Sequence, residues 1–182
     1  MIKQAMQDDN NVLDRSIYED ELFMKMNTDM GNATQVEYEV YKALLDNMME
    51  ELPYASHKKA PDLMIMIDVS YDTMIERIKK RGREYEQIEN DPSLVDYYQR
   101  LLGYYEQWKH EYSASPLLVI DGDKYDFMGN LYDRKAVLTM VYDELLKIGS
   151  IDKDRYNALI DKLKYLKLTT HQGEYDADSQ SA

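Results

Sequence analysis

Three stretches hold residues whose types and spacing can do chemistry on phosphates. The first is NVLDRSIYED, where the apolar pair Val12-Leu13 ends abruptly on Asp14-Arg15-Ser16. At a strand tip that turns at once into a helix, Asp14 can hold a Mg²⁺ through its water shell, and Arg15 can grip a phosphate in a bidentate fork. The same residues also read as a helix N-terminus with a surface ion pair, Ser16 and Glu19 forming an S-x-x-E capping box. Spacing alone leaves both readings open. The second stretch is RIKKRGREYEQ. It places five cations, Arg77, Lys79, Lys80, Arg81 and Arg83, within seven residues of a chain whose formal net charge is −13. Cations gather at helix C-termini because the macrodipole favours them there. Three arginines in so acidic a chain point further, to an arginine loop that closes over a polyphosphate and neutralises developing charge. Gly82 can break the helix so that Arg81 and Arg83 need not share a face, and Glu86 can accept a hydrogen bond from a sugar hydroxyl. The third stretch is VIDGDKYDF. Asp121, Asp123 and Asp126 lack the D-x-D-x-D-G-x₅-E spacing of a calcium loop. They suit a turn, or a strand-end loop beside an adenine.

The elements that must position these residues can be read from periodicity. Residues 11–14 form a short strand candidate, followed by a helix to about residue 30, where Gly31-Asn32 breaks it. From Thr34, the residues Val36, Val40, Tyr41, Leu44, Leu45, Met48 and Met49 recur at helical spacing up to Leu52-Pro53. DLMIMIDVS is a continuous apolar run, the pattern of a strand buried on both faces of a parallel sheet. Ser70 caps a helix bearing Met74, Ile75 and Ile78 that runs into the arginine stretch. A Tyr-rich helix over residues 93–112, a buried strand over 117–121 and helices over 134–148 and from Asp152 complete the pattern. Residues 1–7 have helix-forming composition without a cap, and the polar tail from Thr169 has the composition of a disordered segment. Buried strands alternating with helices predict an α/β fold with a parallel sheet.

Bulk properties bound the function. At 182 residues the chain reads as one domain with a single core. Its acidity disfavours nucleic acid polymers and anionic membranes as partners. The absence of cysteine removes disulfide and thiolate chemistry and suits a reducing cytoplasm. The longest apolar run, residues 63–67, is far below a membrane span. His57, His110 and His171 show no metal-ligand spacing. Tyr97, Tyr98, Tyr104, Tyr105 and Trp108 read as core and interface rather than a base-stacking platform, and the twelve methionines as adaptable packing.

The ordered set NNVLDRSIYEDELF, IDVSYDTMIERIKKRGREYEQ and IDGDKYDF resembles the deoxynucleoside kinases, in particular the bacterial deoxyadenosine/deoxyguanosine kinases. The likeness covers about residues 1–148. It implies a P-loop-kinase-like, three-layer α/β/α fold with a parallel sheet. It also implies ATP-dependent phosphorylation of the 5′-hydroxyl of a purine deoxynucleoside, with Mg²⁺, in nucleotide salvage. Asp14 then matches the acid near Mg²⁺ and the phosphates. Arg15 matches an arginine contacting phosphate and the catalytic carboxylate, and Asp20 the acid that recognises the base. Arg77, Arg81 and Arg83 match lid arginines around the ATP phosphates, Arg81 and Arg83 together with Asp14 and Arg15 forming the catalytic set. Glu86 matches the acid that holds the sugar 3′-hydroxyl, and Asp126 and Phe127 match the loop beside the ATP adenine.

The sequence departs from that family in two places. No G-x-x-x-x-G-K-[ST] segment occurs among its seven glycines, and the catalytic-base glutamate that follows the family's second strand is also missing. The resemblance therefore implies an N-terminally truncated kinase-like domain over residues 1–149, without the first strand and P-loop. Phosphate binding by such a chain alone would be impaired. Residues 150–182 form a C-terminal helical extension and tail. A homodimer, or pairing with a related kinase through the long helices at 34–52 and 93–112, follows as a partner expectation. Two rival readings are a non-catalytic binding protein, motivated by the missing cradle, and a thymidylate-kinase-like nucleotide kinase, which shares the arginine lid.

Overall fold

The computed structural model describes residues 11–14, 17–51 and 60–167. They fall into two compact units, one taking the chain through Met64 together with Ser70–Leu117, the other Ile65–Val69 and the chain from Leu118.

The first unit is helical. Helix α1 spans Ile17–Asp29 and α2 spans Gln35–Glu51. Between them Gly31 takes φ 79°, the left-handed conformation that ends α1. Thr34 and Glu37 form a reciprocal capping box on α2: Thr34 Oγ1 accepts from the Glu37 amide at 3.2 Å, and Glu37 Oε2 accepts from the Thr34 amide at 2.7 Å. Helix α3, Tyr71–Arg81, starts at Ser70, whose hydroxyl accepts from the Thr73 amide, and ends at Gly82 with φ 75°. A short 3₁₀ turn, Glu84–Glu86, leads to α4, Leu94–Glu111. Helix α1 packs against α2 and α4, and α3 against α4. Their apolar faces supply buried Leu22, Met26, Ile75, Ile78 and Tyr98, the last three forming one cluster with Tyr71, Met74 and Leu94 at its edge.

The second unit holds the parallel sheet. Strand β1, Met64–Asp68, pairs with β2, Leu117–Asp121. The Gly122 amide continues the ladder to the Asp68 carbonyl at 2.7 Å. Helix α5, Leu131–Lys147, packs against α6, Lys153–Leu163, and Tyr156 donates to Asp143 Oδ1 at 2.7 Å. Asn130 caps α5 by accepting from the Tyr132 and Asp133 amides, so the helix begins three residues before the expected Arg134. Asp152 caps α6 through the Arg155 amide, as its position suggested.

Two strand expectations need correction. Residues 11–14 adopt no strand, and Val12 and Leu13 are exposed. Two apolar residues form a strand only where a sheet edge pairs with them, and the sheet among the described residues consists of β1 and β2. Nor is β1 buried on both faces: Met64 and Met66 are buried, whereas Ile65 and Ile67 are about 40% exposed, as is Val119 of β2. An unbroken apolar run does not distinguish one covered face from two, because alternation is invisible when both sets of side chains are apolar. The helix-like segment at 1–7, the Ser16 cap, the end of α2 beyond Glu51, His57, and the tail from Thr169 lie outside the described residues.

Gly122 is where the sheet tolerates no side chain. A Cβ there would stand 2.5 Å from Val69 Cγ1 and 3.0 Å from the Asp68 carbonyl oxygen. We expect Gly122→Ala to destabilise the protein by about 1–3 kcal/mol through forced overpacking. Thermal denaturation followed by circular dichroism checks this; an unchanged midpoint would show that the strand ends separate freely.

Candidate functional site

The arginine stretch is built by the end of α3. Ile75 and Ile78 face the core, so the opposite face of the helix carries Arg77, Lys79 and Lys80 to solvent. Gly82, in the left-handed conformation, reverses the chain immediately after Arg81. The turn that follows is clamped from three sides. Gln87 donates its amide to the Ile78 carbonyl at 3.1 Å and the Arg83 carbonyl at 2.9 Å. Asn90 donates to the Glu84 carbonyl at 2.9 Å, and the buried Tyr98 hydroxyl donates to the Glu86 carbonyl at 2.9 Å.

This clamp brings two of the predicted arginines to the predicted acid. Arg81 Nη2 lies 2.6 Å from Glu86 Oε2, and Arg83 Nη1 lies 3.4 Å from Glu86 Oε1. The guanidinium side chains are 46% and 41% exposed, and the Glu86 side chain 17%. Oε2 of Glu86 is buried and, although Arg81 approaches it closely, accepts no hydrogen bond. Tyr85 raises the pKa of Arg83 above its ordinary value, opposed by desolvation and helped by Glu86. Lys79 is drawn aside to Glu89 at 2.6 Å, and Arg77 and Lys80 remain on the exposed face of α3. The arrangement is a partly exposed cationic pair anchored on one largely buried carboxylate, the charge pattern suited to a phosphate chain.

Helix α1 positions Asp20, which is exposed. Its carboxylate acts on Tyr41 of α2: burial chiefly raises the Tyr41 pKa, with the charges of Asp20 and Glu21 adding. The other face of α1 is fastened. Trp108 Nε1 donates to the Tyr18 carbonyl at 3.2 Å, and Glu21 accepts from Tyr38 at 3.0 Å and from Lys42 at 2.6 Å. Tyr104 also donates to Asp29, and that hydrogen bond, followed by Lys25, holds the Asp29 carboxyl below the usual carboxylate range. A cavity of about 330 Å³ between α1 and α4 is lined by Tyr18, Leu22, Lys25, Tyr104 and Trp108. The tyrosines of α4 thus do the interhelix work their spacing suggested. Asp14 is exposed at a bend, while Arg15 lies outside the described residues.

In the second unit, Asp126 spends its side chain on the turn. Oδ1 accepts from the Gly129 amide at 2.8 Å, and the Asp126 amide donates to Asp133 at 2.9 Å. Arg134, which sequence reasoning treated as a helix residue alone, ties the loop down: Nε reaches the Phe127 carbonyl at 2.7 Å and Nη2 the Met128 carbonyl at 3.0 Å. Asp121 accepts from the Asp123 and Lys124 amides, an Asx turn. Among the described residues no three His, Asp or Glu side chains cluster as a metal site. Nor is any helix of these residues long and apolar enough to cross a membrane.

The arginine pair thus follows a strand–helix unit in an α/β chain with a parallel sheet. The family model for deoxynucleoside kinases matches residues 1–147. A deoxyguanosine kinase of Lactobacillus acidophilus is 57% identical over 153 residues, covering 84% of this chain and 67% of the relative. A deoxyadenosine kinase of the same organism is 55% identical over 150 residues, with 82% and 69% covered. A deoxyadenosine/deoxycytidine kinase of Bacillus subtilis is 34% identical over 120 residues, 65% of this chain and 52% of the relative. No solved structure matches the chain significantly. The chain belongs to the deoxynucleoside kinase family, a family of phosphotransferases with a P-loop-kinase-like α/β fold.

Proposed function

We propose that the protein transfers the γ-phosphoryl group of ATP to the 5′-hydroxyl of a purine deoxynucleoside, in cytoplasmic nucleotide salvage. The observation that carries this reading is the convergence of Arg81 and Arg83 on Glu86 in a chain so similar to relatives named deoxyguanosine and deoxyadenosine kinases. Phosphoryl transfer asks a protein mainly to position its reactants and to neutralise charge on the equatorial oxygens. Arg77, Arg81 and Arg83 supply that charge at the phosphates, and Arg15 contacts phosphate. Glu86 accepts the sugar 3′-hydroxyl, and Asp20 reads the base edge from α1. Asp126 and Phe127 border the adenine of ATP. Mg²⁺ fits this donor set, since it commonly takes one or two carboxylates plus substrate phosphates, and Asp14 is an exposed carboxylate of that kind. When bound, the ion would supply charge neutralisation on the phosphates.

The same reading includes a homodimer or a pairing with a related kinase. Val36, Val40, Leu44 and Met48 recur every fourth residue on α2, and all four are exposed, the largest at 67%. A contiguous apolar stripe of this kind is the usual mark of a protein interface. In this reading the kinase-like domain spans residues 1–149, and residues 150–182 are a C-terminal extension.

The direct test measures phosphoryl transfer from ATP to each of the four deoxynucleosides and to dTMP, using the protein as its own cell makes it. We expect kcat/KM for deoxyadenosine or deoxyguanosine to exceed that for either pyrimidine by at least about tenfold, the discrimination one misplaced polar contact provides. A preference for dTMP or a pyrimidine deoxynucleoside, or no transfer at all, would overturn the assignment.

A further inference from the structure

Glu86 has two claims on it. The proposed function has it accept the sugar hydroxyl, yet its carboxylate also faces the two arginines that the phosphates need. The two arginines meet separate oxygens of Glu86, and neither forks both. The Arg83 contact is long at 3.4 Å, and Oε2 receives charge from Arg81 without a hydrogen bond. The Arg83 arm is solvent-exposed and long, so it exchanges readily, whereas the Arg81 arm meets the buried Oε2. Its geometry is nonetheless fixed, because Tyr98 holds the Glu86 backbone, Gln87 holds the backbone of Arg83, and Gly82 sets the turn between the arginines.

We propose that Glu86 is the resting counter-anion of the arginine pair, so that phosphate binding and sugar binding are coupled through one carboxylate. Before substrates arrive, Glu86 holds Arg81 and Arg83 together and opposes entry of phosphate. When a deoxynucleoside hydroxyl donates to Glu86, the carboxylate gives up part of its hold, and the guanidinium groups turn to phosphate at lower cost. Linkage makes the effect reciprocal: phosphate on the arginines leaves Glu86 free to accept the sugar. The inference rests on the kinase reading for the identity of the sugar ligand, but its phosphate half stands on the geometry alone.

Inorganic tripolyphosphate titrated calorimetrically into the full chain tests it. We expect Glu86→Gln to tighten binding about three- to tenfold, the factor expected from releasing one weak ion-pair competitor. Glu84→Gln, which removes an equal charge two residues away, should leave affinity unchanged. In an Arg81→Gln/Arg83→Gln background the gain from Glu86→Gln should disappear. Deoxyguanosine should tighten tripolyphosphate binding in the parent chain and not in Glu86→Gln. If Glu86→Gln fails to fold, Glu86→Asp, one methylene too short to meet both arginines, should tighten binding in the same direction. Unchanged or weaker binding, equal tightening by Glu84→Gln, or no binding by any form would overturn the proposal. Assaying the same preparations for transfer to deoxyadenosine and deoxyguanosine separates the two readings. Transfer without tightening would sink the coupling and keep the kinase assignment; tightening without transfer would do the reverse.

Discussion

Arg83→Ala should lower kcat for purine deoxynucleoside phosphorylation by about 10²–10³, the usual loss when one preorganised charge is removed from a transferring phosphoryl group. Stability should hardly change. The Arg83 side chain is 41% exposed and its contact to Glu86 is 3.4 Å, a long and solvent-screened pair that contributes little. The split between kcat and stability is the diagnostic feature, since an arginine that only braced the turn would shift the melting midpoint and leave kcat largely intact. Arg83→Lys should recover part of the rate, because an ammonium keeps the charge and loses the planar fork. An unchanged kcat in Arg83→Ala would remove Arg83 from the transfer site. Arg81→Ala is expected to behave alike, since both side chains meet one carboxylate.

What was legible in the sequence was what depends on neighbours a few residues away. Ser70, Asp152 and Gly82 announce helix ends because capping and the left-handed turn are local chemistry. The identities of Arg81, Arg83 and Glu86 were legible for the same reason, being packed into six consecutive residues. Their meeting was not. It requires Gly82 to reverse the chain, Gln87 to span nine residues back to Ile78, and Tyr98 to arrive from the next helix with its hydroxyl on the Glu86 carbonyl. Arg134 escaped notice because its partners are the carbonyls of Phe127 and Met128, and carbonyls have no signature in a sequence. The exposed faces of β1 and α2 were hidden by a different limit. Ile65, Ile67, Val40 and Leu44 are as apolar as any core residue, and periodicity reports which residues share a face without reporting what covers it.

Met26→Ala should be among the most damaging single changes to the first unit, and its effect on the reaction should differ in kind from that of Arg83→Ala. Met26 is completely buried in α1, one turn after buried Leu22. Truncating a buried methionine to alanine costs about 2–5 kcal/mol in lost transfer and cavity terms. For a chain of this size that corresponds to a midpoint lowered by roughly 5–15 °C. Met26→Leu, which nearly conserves volume, should cost less than about 1.5 kcal/mol. The functional consequence follows from what α1 carries. Trp108 pins its first turn and Tyr104 its last, while Glu21 ties its middle to α2 through Tyr38 and Lys42. Asp20 therefore keeps its position only as long as the buried face of α1 stays seated. Loosening that face should raise KM for the deoxynucleoside several-fold, with kcat at saturation little changed, because Arg81 and Arg83 are held by a separate clamp. Steady-state kinetics at a temperature well below the lowered midpoint make the comparison. A lowered midpoint with KM unmoved would show that α1 does not position the base-reading group, and Asp20 would lose its assignment while Arg83 kept its own.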